Sequence, residues 1–179
     1  ITNFSTDVHL GANDRLVGLS GFLGKMTDPA AQNGPEDIAV DLQQDRSDIL
    51  IDTFAYHWTR KPPQGVTMHN NVVVRYSPGG AICTHHGFDA CSYNRSVAAY
   101  EDLLEWTRIS PRVWVWYYAH GGDKMHPLPH FSSLSHNFKL MRTAGVQGIF
   151  VQTDFGSERI EAGGLLELQS YLLAKLMWN

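Results

Sequence analysis

Cysteine is scarce in this sequence: Cys83 and Cys91 are the only two among 179 residues. That density excludes a small scaffold held together mainly by disulfides. The pair itself leaves three readings open: a small disulfide loop, two free thiols, or part of a metal site with His85 and His86. The paired Cys-x-x-Cys spacing of common structural zinc sites is missing. Basic residues are also in short supply. Lys and Arg number 14 against 18 Asp and Glu, giving a net charge of -4, so no electrostatic footprint for nucleic acid exists. No apolar run approaches the roughly 20 residues of a membrane-spanning helix. No Gly-rich phosphate loop follows an apolar run, and no Gly-x-Ser-x-Gly elbow occurs, which argues against a P-loop enzyme and a serine-triad hydrolase.

Repeats, low-complexity tracts and linkers are absent as well. With 43% hydrophobic residues, the expectation is one α/β domain over residues 1–179 with a sizeable core. The chain begins at Ile1 without a methionine or a signal peptide. It is therefore expected to be a fragment or a processed chain, whose compartment the missing part would have set.

What is present is a series of short apolar runs rich in β-branched and aromatic residues. "DILIDTFAY" (Asp48 to Tyr56), "NVVVRYS" (Asn71 to Ser77), "RVWVWYY" (Arg112 to Tyr118) and "VQGIFVQ" (Val146 to Gln152) read as buried strands. A further strand is expected within "FSTDVHLGAND". Helical patterns fall between the runs. "PEDIAVDLQQD" carries Pro35 in its first turn. "NRSVAAYEDLLEWTRI" sets Val97, Tyr100 and Leu104 on one face, with Leu103 at its margin. "SSLSHNFKLMRTAG" aligns Leu134, Phe138 and Met141 and stops at Gly145. "GLLELQSYLLAKLMW" aligns Leu165, Leu168, Leu172 and Leu176. Alternation of strand and helix implies a mainly parallel sheet. Two architectures fit: half of a (β/α)₈ TIM-barrel-like fold, or a complete doubly wound sheet. Either way, ligands gather at the carboxyl ends of the strands.

The residues at those ends carry the chemistry. Asn13 and Asp14 follow the first expected strand; Tyr56, His57, Trp58 and Arg60 follow the second. Arg75 ends the third, before the loop "CTHHGFDAC" with His85, His86 and Asp89. Trp116, Tyr118, His120, Asp123 and His126 belong to the fourth; Gln152, Asp154 and Glu158 belong to the fifth. Aromatic faces stack on the apolar face of a pyranose, while carboxylates bind hydroxyls or move protons. Each residue also has a plainer reading. Trp114 and Trp116 fit a core, Asp14 a turn, Asp154 a cap, Arg75 a structural ion pair, and the loop histidines ordinary surface positions.

The chain also resembles a known family. "DILIDTFAYHWTRKPP", "NVVVRYS", "CTHHGFDAC", "LLEWTRI", "VWVWYY", "HPLPHFSSLSHNFKLMRTAGVQGIFVQTD" and "ELQSYLLAKLMWN" match, in order and spacing, the bacterial domain of unknown function numbered four-eight-three-eight. That group comprises large secreted proteins similar to TIM-barrel glycoside hydrolases. The resemblance covers Asp48 to Asn179 and implies the second half of a (β/α)₈ barrel with a carbohydrate substrate. Three departures stand out. Trp116-Tyr117-Tyr118 replaces Trp-Asp-Tyr, Gln152-Thr153 replaces Gln-Gly, and Gly163-Gly164-Leu165 replaces Gly-Gly-Glu. They shift the acid–base work to Asp14 and Asp154.

The leading expectation is a glycoside hydrolase, or a fragment of one. Asp14 and Asp154 form its acid/base pair, and His57 or His85 assists. Tyr56, Trp116 and Tyr118 form the sugar platform, while Arg75, His85 and Gln152 hold hydroxyls or a carboxylate. No cofactor, metal, nucleic acid or membrane is expected. A half-barrel would expose two sheet edges, so association with a second copy or with an absent N-terminal half is expected. The alternatives are a non-catalytic carbohydrate-binding module and a metal-dependent hydrolase built on the Cys/His loop.

Overall fold

The computed structural model describes residues 16–22, 39, 43–79, 86–92, 94–119, 131–152 and 165–178. Five strands, β1 (Leu16–Phe22), β2 (Leu50–Ala55), β3 (Val72–Tyr76), β4 (Val113–Tyr118) and β5 (Gly148–Gln152), form one sheet in the order β1-β2-β3-β4-β5. Every pairing is parallel. Helix α1 (Asn94–Ile109) joins β3 to β4, α2 (Phe131–Thr143) joins β4 to β5, and α3 (Leu165–Trp178) follows β5. Ahead of β2, Ala39 and residues 43–45 are helical. Among the described residues, no helix is long and apolar enough to cross a membrane.

The register sorts the strand side chains onto two faces, because neighbours in a parallel ladder share a side. Ile51, Thr53 and Ala55 align with Val72, Val74 and Tyr76, then with Val113, Val115 and Tyr117, and then with Ile149 and Val151. This face meets the helices. Leu103 and Trp106 of α1, Leu134, Phe138 and Met141 of α2, and Leu173 of α3 join its residues in one core. Polar atoms on this side are paired, as burial demands. The Tyr76 hydroxyl donates to Ala99 O (2.7 Å), and Asn137 Nδ2 donates to the Tyr117 hydroxyl (3.4 Å).

On the opposite face lie Asp52, Phe54, Val73, Arg75, Trp114, Trp116, Tyr118, Gly148, Phe150 and Gln152. Gly148 makes room here, since a Cβ would sit 3.0 Å from the Trp114 indole, which would have to give way. The described helices all pack on the first face. A doubly wound sheet has helices on both faces and a reversal of strand order. Among the described residues, the sequential strand order and the helices on one face are consistent with a partial barrel, and the all-parallel sheet alternating with helices is consistent with a doubly wound fold as well.

The strands fall where the apolar runs predict them, except the first. The strand expected within Phe4 to Asp14 lies outside the described residues, and β1 stands later in the chain. Two helix faces also differ from expectation. In α1 the buried stripe is Ser96, Ala99, Leu103 and Trp106, whereas Val97 and Leu104 are exposed. Trp106 wins the inward position because its indole N–H also finds an acceptor, Arg60 O at 2.7 Å. In α3, Leu173 and Gln169 are buried and Leu168 is exposed. Gln169 is held inward by donating to Ala119 O (2.7 Å). The stripe of α2 is as predicted, and Gly145 (φ +96) ends that helix.

Candidate functional site

The carboxyl ends of β2 to β5 are tied together beyond the strands. Ser77 N–H donates to Ala55 O (3.0 Å), and Ala119 N–H donates to Gln152 O (2.8 Å). These bonds continue the β2–β3 and β4–β5 ladders past the strands, at the rim that carries Tyr56, His57, Ser77, Tyr118 and Gln152.

After β2 the chain makes a 3-10 turn, His57–Thr59. His57 sits at φ +53, in the left-handed region, which costs a non-glycine residue about 1–2 kcal/mol. The turn is fastened on several sides. Tyr56 N–H donates to Thr59 Oγ1 (3.2 Å), and Thr59 Oγ1 lies within reach of both Phe54 O and Tyr56 O. Just beyond, Arg60 Nε donates to Asp102 of α1 at 3.0 Å, and Trp106 holds the Arg60 carbonyl. Arg60, at the rim in sequence, is thus part of the scaffold.

The turn brings rings together. His57 lies 3.9 Å from Tyr56, centroid to centroid, and Tyr56 lies 6.5 Å from Tyr118. Tyr118 stacks on Trp116 at 6.2 Å, and Trp116 meets Phe54 (5.3 Å) and the edge of Phe150 (4.8 Å). The Trp116 indole N–H donates to Gln152 Oε1 (2.9 Å). That bond fixes the orientation of the Gln152 amide, leaving its NH2 as donor and the second lone pair of Oε1 as acceptor. From β3's following loop, Gly79 (φ +61) passes so close to Tyr56 that a Cβ would lie 3.4 Å from the ring.

The Tyr118 hydroxyl hydrogen-bonds with Tyr56 and Ser77. Burial, reinforced by the hydrogen bond and charge of Tyr56 and opposed by Ser77, pushes Tyr118 up to about 12. The phenol therefore stays protonated at any ordinary pH and acts as a hydrogen-bonding group rather than as an anionic nucleophile.

Arg75 and Asp52 lie deeper on the same face. The Arg75 guanidinium forks onto the Asp52 carboxylate through Nε (3.3 Å) and Nη2, and it lies over the Phe54 and Trp114 rings at 5.7 and 5.5 Å. Burial of Asp52 raises its pKa despite the opposing pull of Arg75. The arginine proposed from sequence to hold substrate is placed in an ion pair.

The structure thus brings Tyr56, His57, Trp116, Tyr118 and Gln152 together. Asp14, Asp154 and His85, along with Cys83, His120 and His126, lie outside the described residues. Cys91 is disulfide-bonded, which removes its sulfur from any metal-ligand set. Among the described residues, no group of three or more His, Cys, Asp or Glu could hold a metal ion. The loop leading to Cys91 is docked on α2. Phe88 N–H donates to Asn137 Oδ1 (2.9 Å), and Asp89 meets His136 Nε2 at 2.7 Å.

Sequence reasoning missed Asp52 and Ser77. Asp52 has a legible signal, an acid at an alternate position within an apolar run. Ser77 has only its place, one residue past a strand.

A family model described as Domain of unknown function (DUF4838) matches residues 35–179. No curated protein and no solved structure matches the chain.

Proposed function

The chain belongs to the family described as Domain of unknown function (DUF4838), and from that premise we propose that it is a carbohydrate-active protein, a glycoside hydrolase or a catalytic-domain part of one. The observation that carries this reading is the Trp116–Tyr118–Gln152 group at the carboxyl ends of parallel strands. It joins stacked aromatic faces to a fixed amide donor. Ring faces match the apolar side of a pyranose, and the amide matches its hydroxyls. Tyr56 extends the platform, and His57 is offered beside it by a strained backbone. Glycosidic cleavage also needs two carboxyl groups. Asp154, two residues past β5, and Asp14 are the proposed pair.

A second reading has a specific observation behind it. Among the described residues of the sheet face opposite the helices, Asp52 is the one carboxylate, and it is engaged by Arg75. An aromatic platform without a free acid beside it suits a non-catalytic carbohydrate-binding module. Turnover of a panel of aryl glycosides, glucuronides included, separates the two readings. Hydrolysis that drops by orders of magnitude in Asp154→Asn and in Asp14→Asn supports the enzyme. Sugar binding without turnover supports the module, and neither binding nor turnover removes both.

A further inference from the structure

Trp58 is 74% exposed, and a single exposed tryptophan is ordinary by itself. Its setting is not. The residue before it holds a left-handed backbone conformation, and the turn around it is fastened to β2 and to α1 by Thr59, Arg60 and Trp106. An unfastened turn would let the indole fold back onto the protein. This one holds the backbone of an apolar ring fixed in water.

The ring also stands at the end of a row. Trp58 lies 6.1 Å from His57, His57 3.9 Å from Tyr56, Tyr56 6.5 Å from Tyr118, and Tyr118 6.2 Å from Trp116. The series runs without a gap from solvent to the rim platform. The two arginines beside it are engaged, Arg60 with Asp102 and Arg75 with Asp52. Lys61, the cation that follows Arg60, also acts on Asp102, so among the described residues the row itself is built of ring faces and neutral donors.

We propose that Trp58 is an outlying sugar-binding platform, and that the site takes a neutral oligosaccharide lying along the row from Trp58 to Trp116 rather than a single glycosyl unit. The inference rests on the carbohydrate reading above and specifies its substrate class. A chain lying along the row would stack one unit on Trp58 while another occupies Trp116 and Tyr118. Tyr56 and His57 stand between the inner platform and Trp58, so a ligand engaging both ends needs more than one glycosyl unit.

Calorimetric titration of the full chain with cellohexaose, xylohexaose and mannohexaose, each beside its own disaccharide, tests this. At least one hexasaccharide should bind more tightly than its disaccharide. Trp58→Ala should weaken that hexasaccharide about three- to tenfold, the scale of one aromatic contact, and leave the disaccharide unchanged. Trp58→Phe should restore most of the loss. Circular dichroism matching wild type would show that this exposed substitution leaves the fold intact. Unchanged hexasaccharide affinity in Trp58→Ala, or equal weakening of both lengths, overturns the proposal while the carbohydrate reading stands. Failure of the wild-type chain to bind any sugar of the panel overturns both.

Discussion

Arg75 on β3 grips Asp52 on β2 across the sheet face opposite the described helices, with Phe54 and Trp114 flanking the guanidinium. Both side chains are mostly shielded from water. Removing one partner leaves the other charge buried and uncompensated. Arg75→Met leaves the Asp52 carboxylate buried without its partner and should cost about 3 kcal/mol of stability, while adding Asp52→Leu to it should recover much of the loss. Urea unfolding of the two singles and the double forms the required cycle.

The same carboxyl sets a pH dependence. Burial holds its folded pKa above the ordinary value, so the folded chain binds this proton more tightly than the unfolded chain. The contribution is fully present below the unfolded carboxylate range and is lost as pH rises through the raised folded pKa. Asp52→Asn should flatten the slope of stability against pH between the ordinary carboxylate value and the raised folded one. An unchanged slope would show that Arg75 outweighs burial.

His57 offers a way to separate strain from function. His57→Gly removes the left-handed penalty but adds freedom to the unfolded chain. The variant should match wild type in stability to within about 1 kcal/mol while losing activity on any confirmed glycoside. Full activity in a stable Gly variant would make His57 a turn residue only.

Tyr118 should titrate late. Tyr76 and Tyr117, buried on the other face, are also pushed upward, so the tyrosinate absorbance of the folded chain should show a delayed group. Tyr118→Phe should remove one tyrosine from that group and leave the rest. Because the folded value is raised, this hydroxyl's contribution to stability is intact below the unfolded tyrosine range and fades toward a pH of about 12.

Cys91 is disulfide-bonded, and a bond to Cys83, the other cysteine of the sequence, would close a short loop. Loop-closure entropy for such a span is about 2–3 kcal/mol. Cys91→Ser should lose that much stability, and a reducing agent should bring wild type to the same level without affecting the variant. Equal wild-type unfolding midpoints with and without reductant would refute the assignment.

Much of the fold was legible because period and composition act locally. The runs ending at Ala55, Tyr76, Tyr118 and Gln152 are strands because each is short, apolar and β-branched or aromatic. The first strand was hidden by Gly18 and Gly21 within Leu16–Phe22, which lower its strand propensity. The helix faces were harder. Leucine counting favours Leu104 and Leu168, but Trp106 and Gln169 are drawn inward by carbonyls of Arg60 and Ala119, distant in sequence. The rim followed from topology, since any group just past a parallel strand arrives there. An ion pair was one reading of Arg75, but its partner was not legible, because it depends on the register that sets Arg75 beside Phe54 and so brings it next to Asp52.

Strand order that repeats chain order has a consequence for how the sheet assembles. Each strand pairs with the one formed just before it, so no pairing waits for a later strand to slot between two others. Closure entropy rises only slowly with loop length, and every closure here spans a single intervening segment. The relative contact order is accordingly lower than in a sheet of the same size whose strand order reverses. Growth can proceed by addition at an edge, and a strand–helix unit added or lost at β1 or β5 would leave the remaining hydrogen-bond ladders intact.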